Sequence, residues 1–348
     1  MNPRLINLIK QFDRLNIDAF LVTNTANIRY LTYYQAEAAW LLVTPKQAYY
    51  LTDGRFTLEA RKGLENIPVL EANHPFAEPI TRILAKAKIQ ALGFDENHMS
   101  VSTFKKVQQV LPKAVRMVPC RRMVEGIREI KEKAEVASIR QAIKINLALF
   151  RHVTTFLKPG MTERQVLFRI EDFVRRHRAG FSFDSIVASG PNTRFPHARV
   201  TDRRIKKGEP VLIDTGIDLK GYKSDLTRMF FMGKIPAQFQ TVREAVAVAQ
   251  TQAIKKIRPG ISAADVDQEA RNYLESQGLA RFFSHSLGHG VGLEIHEEPR
   301  ISLKSKTILQ PGMVFTVEPG VYLPDSFGVR IEDMVLVTDT GCEVLSKG

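Results

Sequence analysis

One strand-and-turn unit occurs twice in this chain, and that duplication constrains the fold more than any other feature. Lys158-Pro159-Gly160-Met161-Thr162 recurs as Arg258-Pro259-Gly260-Ile261-Ser262 one hundred residues later. The stretch Lys207–Gly216 (KGEPVLIDTG) is matched by Pro311–Gly320 (PGMVFTVEPG) at an offset of 104. Thr162 with Gln165, and Ser262 with Asp265, read as the N-cap and N3 positions of a helix start. Both copies end an apolar run in an acid, Asp214 and Glu318, followed by X-Gly. Duplicated units of this kind predict two related halves facing each other, with their acids converging at the seam. The alternative is two similar strand-turn units with exposed acids. It is disfavoured because buried strand ends seldom carry uncompensated carboxylates.

Three further residues join these two acids. Asp225 opens Leu226-Thr227-Arg228-Met229-Phe230-Phe231, His289 sits in Gly288-His289-Gly290-Val291-Gly292, and Glu332 sits inside Val329–Val337, each stretch reading as a strand end or tight loop. Four carboxylates and one imidazole suit hard or borderline divalent ions such as Mn, Co or Zn. Carboxylates can bridge two cations, and two ions roughly 3.5–4 Å apart can share a hydroxide and clamp a tetrahedral intermediate. The absence of thiolate ligands argues against a structural zinc site. Singly, each piece is weak: Asp-Thr-Gly alone reads as a turn, and a His in a Gly-rich loop as structural. Their joint appearance in order predicts a two-metal hydrolase site.

The rest of the chain fits a metabolic enzyme. At 348 residues with 44% hydrophobic content, it is long enough for two domains with sizeable cores. No apolar stretch reaches the roughly 18 residues of a membrane helix, and the N-terminus lacks a signal-peptide core, so a cytoplasmic location is expected. Cys120 and Cys342, far apart, suggest neither a disulfide framework nor a zinc motif. The net charge of +13 is spread over short clusters interleaved with acids, which reads as a solvated basic surface; neither nucleic acid nor membrane is expected as a partner.

Periodicity divides the chain. An amphipathic helix over 3–15 precedes strands at 19–22, 40–43 and 48–51. Helix 55–63, strand 67–70, helix 76–87, strand 90–94 and helix 100–110 follow, an α/β alternation. A charged stretch around Arg121–Lys133 leads into a long helix. The boundary is placed at 122–126, giving an N-terminal α/β domain over 1–124 and a second domain over 125–348 that holds all five candidate ligands.

These residues carry a resemblance. Val211–Arg228 (VLIDTGIDLKGYKSDLTR), His285–Arg300 (HSLGHGVGLEIHEEPR), Pro311–Val321 (PGMVFTVEPGV) and Gly328–Asp333 (GVRIED) are similar to the pita-bread metallopeptidase family. The whole chain resembles its Xaa-Pro branch of prolidases (Xaa-Pro dipeptidases) and aminopeptidases P. Weaker echoes lie at Asn27–Thr32 and Leu51–Arg55, and Tyr33 stands where a Gly often follows. The resemblance implies a creatinase-like N-terminal α/β domain and an α+β pita-bread domain with a pseudo-twofold repeat. It implies two divalent ions, Mn first and Co or Zn as alternatives, held by Asp214, Asp225, His289, Glu318 and Glu332. Asp225 and Glu332 would bridge, and Glu318 would also be the general base. It implies that His197 and His296 contact the scissile peptide, that His285 is a further pocket residue, and that Arg300 and Arg330 face the proline end or the product carboxylate. Bland roles exist for these: His197 as a loop cap, His285 as core filler, Arg300 as a solvated charge. The expected substrate is a proline-containing dipeptide, with longer Xaa-Pro peptides as the alternative, and the expected assembly a homodimer. A non-catalytic pita-bread protein binding RNA or protein is the remote alternative; it would not need an intact ligand set.

Overall fold

In a computed structural model describing residues 1–35 and 37–347, the chain packs as two compact units, Met1–Arg128 and Glu129–Gly348. The break falls after Arg128 rather than after 124. The short helix Glu125–Arg128 belongs with the first unit because Asn27 ties it there: its Nδ2 donates to Glu125 Oε1 at 2.6 Å, and its Oδ1 accepts from Arg128 Nη1 at 2.6 Å.

The first unit is a six-stranded mixed sheet. Its strands are β1 (Ala19–Val22), β2 (Ala39–Val43), β3 (Ala48–Thr52), β4 (Val69–Glu71), β5 (Ala91–Asp95) and β6 (Arg116–Cys120), in the order β4-β3-β2-β1-β5-β6. β1, β2 and β5 are buried along their whole length, which explains their nearly continuous apolar runs. The helix expected over 3–15 is two short helices, Pro3–Ile9 and Phe12–Leu15, because Gln11 N bonds to Leu8 O in a tight turn. The echo at Asn27–Thr32 lies in a helix, Thr25–Thr32, that periodicity did not predict. Its C-cap, Tyr33, takes a left-handed φ of 58°, a conformation glycine adopts without strain.

The second unit repeats one pattern: a long helix, a helix, then antiparallel strands. Helices Lys133–Phe156 and Glu163–Arg176 lead to a three-stranded sheet of Ile186–Ser189, Pro210–Thr215 and Leu226–Phe231, with Pro210–Thr215 central. Helices Ala237–Lys256 and Ala263–Ser276 lead to a five-stranded sheet in the order Glu297–Ile301, Gly288–Gly290, Val314–Val317, Asp333–Val337, Cys342–Val344. The Pro-Gly turns make the same bonds in both copies. Gly160 N reaches Ile205 O at 2.8 Å and Gly260 N reaches Leu309 O at 2.9 Å; Ile205 N returns to Met161 O and Leu309 N to Ile261 O. Thr162 and Gln165 form a reciprocal capping box, whereas Ser262 caps through Ala264 N and Asp265 only fills the first turn. Among the described residues, no helix is long and apolar enough to cross a membrane.

Candidate metal centre

Sheet geometry brings the five predicted residues together. Asp214 is the fifth residue of Pro210–Thr215, and its register partner Thr227 lies two residues past Asp225. Asp225 therefore enters its strand beside the exit of Asp214. Glu318 follows Val314–Val317 directly, and Val317 pairs with Asp333, the residue after Glu332. Glu332 lies between two strands, in keeping with a strand end or tight loop. The ladder stops at Ile331–Glu332, between Gly328–Arg330 and Asp333–Val337, as the chain leaves a two-stranded sheet for the five-stranded one. His289, read as a loop residue, is the middle of the short strand Gly288–Gly290, at a register irregularity of the kind that re-aims a side chain.

The side chains converge. Ligand atoms of Asp225, His289 and Glu332 lie within 4.8 Å of one another. His289 Nδ1 is 3.1 Å from Gly290 O, so that nitrogen carries the proton. Its Nε2 faces Asp225 Oδ2 at 3.5 Å and Glu318 Oε1 at 3.4 Å. Thr316 supports the imidazole and the acid together, accepting from His289 N at 3.1 Å and donating to Glu318 Oε1 at 3.0 Å. Thr227 donates to Glu332 Oε2 at 2.8 Å. Arg228 holds the Glu332 carbonyl and, at 2.8 Å, Asp333.

Arg330 departs from expectation. It is 3% exposed, and its guanidinium is taken up inside the centre: Nη2 on Asp214 Oδ2 at 2.6 Å, Nε on Thr227 Oγ1 at 3.0 Å, and Nη1 on Tyr322 Oη at 2.8 Å and Pro196 O at 3.1 Å. The guanidinium is thus committed to protein groups, whereas the resemblance implied the proline end or a product carboxylate as its partner. Arg300 is exposed on Glu297–Ile301, near enough to His296 to disfavour its protonation.

The electrostatics leave the centre short of positive charge. Arg330 is the buried cation that acts on these carboxylates, paired to Asp214 at 2.6 Å. Burial and then neighbouring carboxylates push Asp225 and Glu332 well above the usual range: Asp214 and Glu318 act on Asp225, and Asp225 and Glu318 on Glu332. Burial also raises Glu318, with His289 and Arg330 partly offsetting it. Asp214 Oδ1 is buried with no hydrogen-bond partner. Such carboxylates must either bind protons or bind cations. Three uncompensated negative charges, an orphaned oxygen and an aimed imidazole nitrogen fit two divalent ions bound by oxygen and one nitrogen.

Three histidines surround this core. His296 stacks edge-on to His289, with ring centroids 4.3 Å apart. Desolvation, followed by His289, His197 and Arg300, lowers its pKa to about 4. His285 is likewise held neutral at about 4, chiefly by burial. Its Nδ1 lies 2.8 Å from Ser286 O and its Nε2 2.9 Å from Tyr322 Oη, which in turn accepts from Arg330. His285 thus orients Tyr322 and Arg330 from behind. His197 is exposed in the turn after the short helix Gly190–Arg194, close to both His285 and His296. Thr227, Thr316, Arg228 and Tyr322 escaped the sequence reading. Strand alternation was the available signal for two of them, because Thr316 and Thr227 stand two residues from Glu318 and Asp225 on the same faces.

The chain is similar to known metallopeptidases. The model for metallopeptidase family M24 matches residues 137–339, and that for the creatinase/prolidase N-terminal domain matches residues 4–130. An uncharacterized peptidase of Bacillus subtilis is 36% identical over 97% of this chain and 96% of its own length. The structure of an Xaa-Pro dipeptidase from Bacillus anthracis superposes with a TM-score of 0.95 at 34% identity, covering 99% of this chain and 97% of that one. That of an X-Pro aminopeptidase from Thermotoga maritima gives 0.89 at 31% identity, covering 97% and 98%.

Proposed function

The chain belongs to metallopeptidase family M24 with a creatinase/prolidase N-terminal domain, and from that premise we propose that it is a metal-dependent peptidase that hydrolyses the bond before proline in Xaa-Pro dipeptides. The observation that carries the reading is the buried convergence of four carboxylates and His289 Nε2 around one committed arginine. Asp214, Asp225, His289, Glu318 and Glu332 would hold two divalent ions, with manganese favoured by the oxygen-rich donor set. When bound, such ions supply a water acidified to near-neutral pH and polarise the scissile carbonyl.

The protein's own groups do the rest. Glu318, held in place by Thr316, takes the proton of the attacking water and delivers it to the leaving proline nitrogen. Neutral His296 donates an N–H to the oxygen that gains charge, with His197 beside it. His285, through Tyr322, keeps Arg330 on Asp214. An imide nitrogen offers no N–H, so selection rests on ring shape and the flanking charges. Arg300 is the guanidinium suited to the free carboxylate of a dipeptide. The name of the Bacillus anthracis relative favours the dipeptidase reading. The Thermotoga maritima relative, together with the commitment of Arg330 to protein groups, favours an aminopeptidase on longer chains as the second reading.

The test is a matched series of Ala-Pro, Met-Pro, Ala-Pro-Ala and Ala-Ala, assayed after chelation and after adding Mn. Ala-Pro and Met-Pro are expected to be cleaved fastest, and only with metal. Faster cleavage of Ala-Pro-Ala would shift the reading to an aminopeptidase. Efficient cleavage of Ala-Ala would remove the proline assignment, and full activity in metal-free protein would remove the mechanism.

A further inference from the structure

Two buried side-chain amides stand behind the centre at positions related by the repeat offset. Asn146, on helix Lys133–Phe156, is fully buried; its Nδ2 donates to Thr215 O at 2.7 Å and to Ser224 Oγ at 3.2 Å. Thr215 follows Asp214, and Ser224 precedes Asp225. Gln250 lies 104 residues further on, on helix Ala237–Lys256, and is 6% exposed. Its Nε2 donates to Val317 O at 3.0 Å, to Ile331 O at 3.3 Å and to Asp333 Oδ2 at 3.2 Å. Val317 precedes Glu318, and Ile331 precedes Glu332. In each half, one helix amide therefore ties together the two chain segments that carry that half's pair of acids.

These ties join strand ends to the segments beside them. Thr215 and Val317 close the strands Pro210–Thr215 and Val314–Val317, whereas residues 224–225, 318–319 and 331–332 lie outside the strand ladders and are held by bonds such as Ser224 N to Ile217 O at 2.9 Å and Glu318 N to Leu287 O at 2.8 Å. A donor from the helix behind adds a restraint that spans both segments, since a carboxamide can bridge two acceptors with its two N–H bonds. Asn146 Oδ1 is buried without a hydrogen-bond partner. An apolar side chain of similar size would avoid that desolvation cost, so packing alone does not account for an amide here.

We infer that Asn146 and Gln250 are duplicated positioning residues, each fixing the separation of the two metal-ligating carboxylates in its own half of the catalytic unit. The inference rests on the metal-centre reading given above. It is tested with N146L and Q250M, which keep approximate size and remove the donors. Binding of Mn and Co to the full chain is followed by titration calorimetry, with the Co electronic spectrum as a direct report on ligand geometry. Each variant is expected to bind at least one ion about tenfold or more weakly, in line with the usual effect of removing a group that orients a ligand, with an altered Co spectrum and unchanged helix content. Affinities within twofold of the unaltered protein and an unchanged spectrum would overturn the inference, even if thermal stability fell, because that pattern marks a purely structural role. Should either variant fail to fold, the milder N146S and Q250N are judged by the same thresholds. Absence of ion binding in the unaltered protein would instead remove the metal centre itself, and the inference with it.

Discussion

Glu318 combines two tasks at the residue scale, as ligand and as base, and its substitution separates them. Glu318→Gln is expected to lower turnover roughly a hundredfold to ten-thousandfold, the usual worth of a positioned proton acceptor, while KM changes little. Near-normal kcat in a Gln variant with both ions bound would assign the base elsewhere. His296 packs edge-on against His289 and stands outside the proposed ligand set. His296→Ala should therefore lower kcat with metal stoichiometry unchanged, as measured by elemental analysis; loss of an ion would make it a ligand. Away from the centre, Asp95 carries a pH signature. Burial, then Glu125, raises its pKa to about 6, with His98 opposing. The folded state thus binds a proton that the unfolded chain has already released above the ordinary carboxylate range. This contribution to stability is complete at acid pH and lost as pH rises through about 6. Asp95→Asn, which mimics the protonated form, should stabilise the first unit by roughly 1–3 kcal/mol more at pH 8 than at pH 5. An equal effect on thermal unfolding at both pH values would sink this assignment.

At the scale of elements, the short strand Gly288–Gly290 is the least forgiving. A Cβ on Gly288 would lie 1.9 Å from Thr316 O, and one on Gly290 2.2 Å from Glu298 O. Both contacts are with backbone, so neither is relieved by a rotamer change. Gly288→Ala should displace His289 and weaken metal binding at least tenfold, since ligand orientation is worth about that much; unchanged affinity in calorimetry would show that the strand can yield. The duplicated helix starts differ in strength. Thr162 has a reciprocal partner in Gln165, while Ser262 makes a single cap bond. Thr162→Ala is expected to cost about 1 kcal/mol in denaturant unfolding, and more than Ser262→Ala. Helix starts and strand cores were legible because they depend on neighbours in sequence. The place of the break at Ile331–Glu332 was not, since Val329–Val337 has the composition of one strand. What divides it is distant: Thr227 O receives Glu332 N, and Arg228 holds the Glu332 carbonyl.

On the scale of the whole molecule, charge and metal act on different surfaces. Many of the basic residues behind the net charge of +13 face acids, as in Arg140–Glu343, Arg164–Asp202, Arg203–Glu209 and Arg271–Asp267. All five candidate ligands lie between Asp214 and Glu332, in the second unit, so metal is expected to act there. Adding Mn to chelated protein should raise amide-exchange protection near residues 214, 225, 288–290, 316–318 and 330–333, since an ion bound only by the folded state stabilises it. The sheet formed by β1 to β6 should be unaffected. Uniform protection across both units, or none, would contradict a centre confined to the second unit.

The four acids and one imidazole, the duplication that carries two of them and the alternation of the first unit were legible in the sequence by itself. All of these depend on residue type and short spacing, which survive in one dimension. Only the tertiary structure decided what Arg330 does. Two residues from Glu332 it read as a substrate contact, but burial beside Asp214 and Tyr322 makes it the internal counter-charge. Only the structure revealed Asn146 and Gln250, although their spacing of 104 was already present in the sequence. An amide on a helix has no meaning in one dimension until the backbone carbonyls it serves, 69 and 67 residues further along the chain, are folded against it.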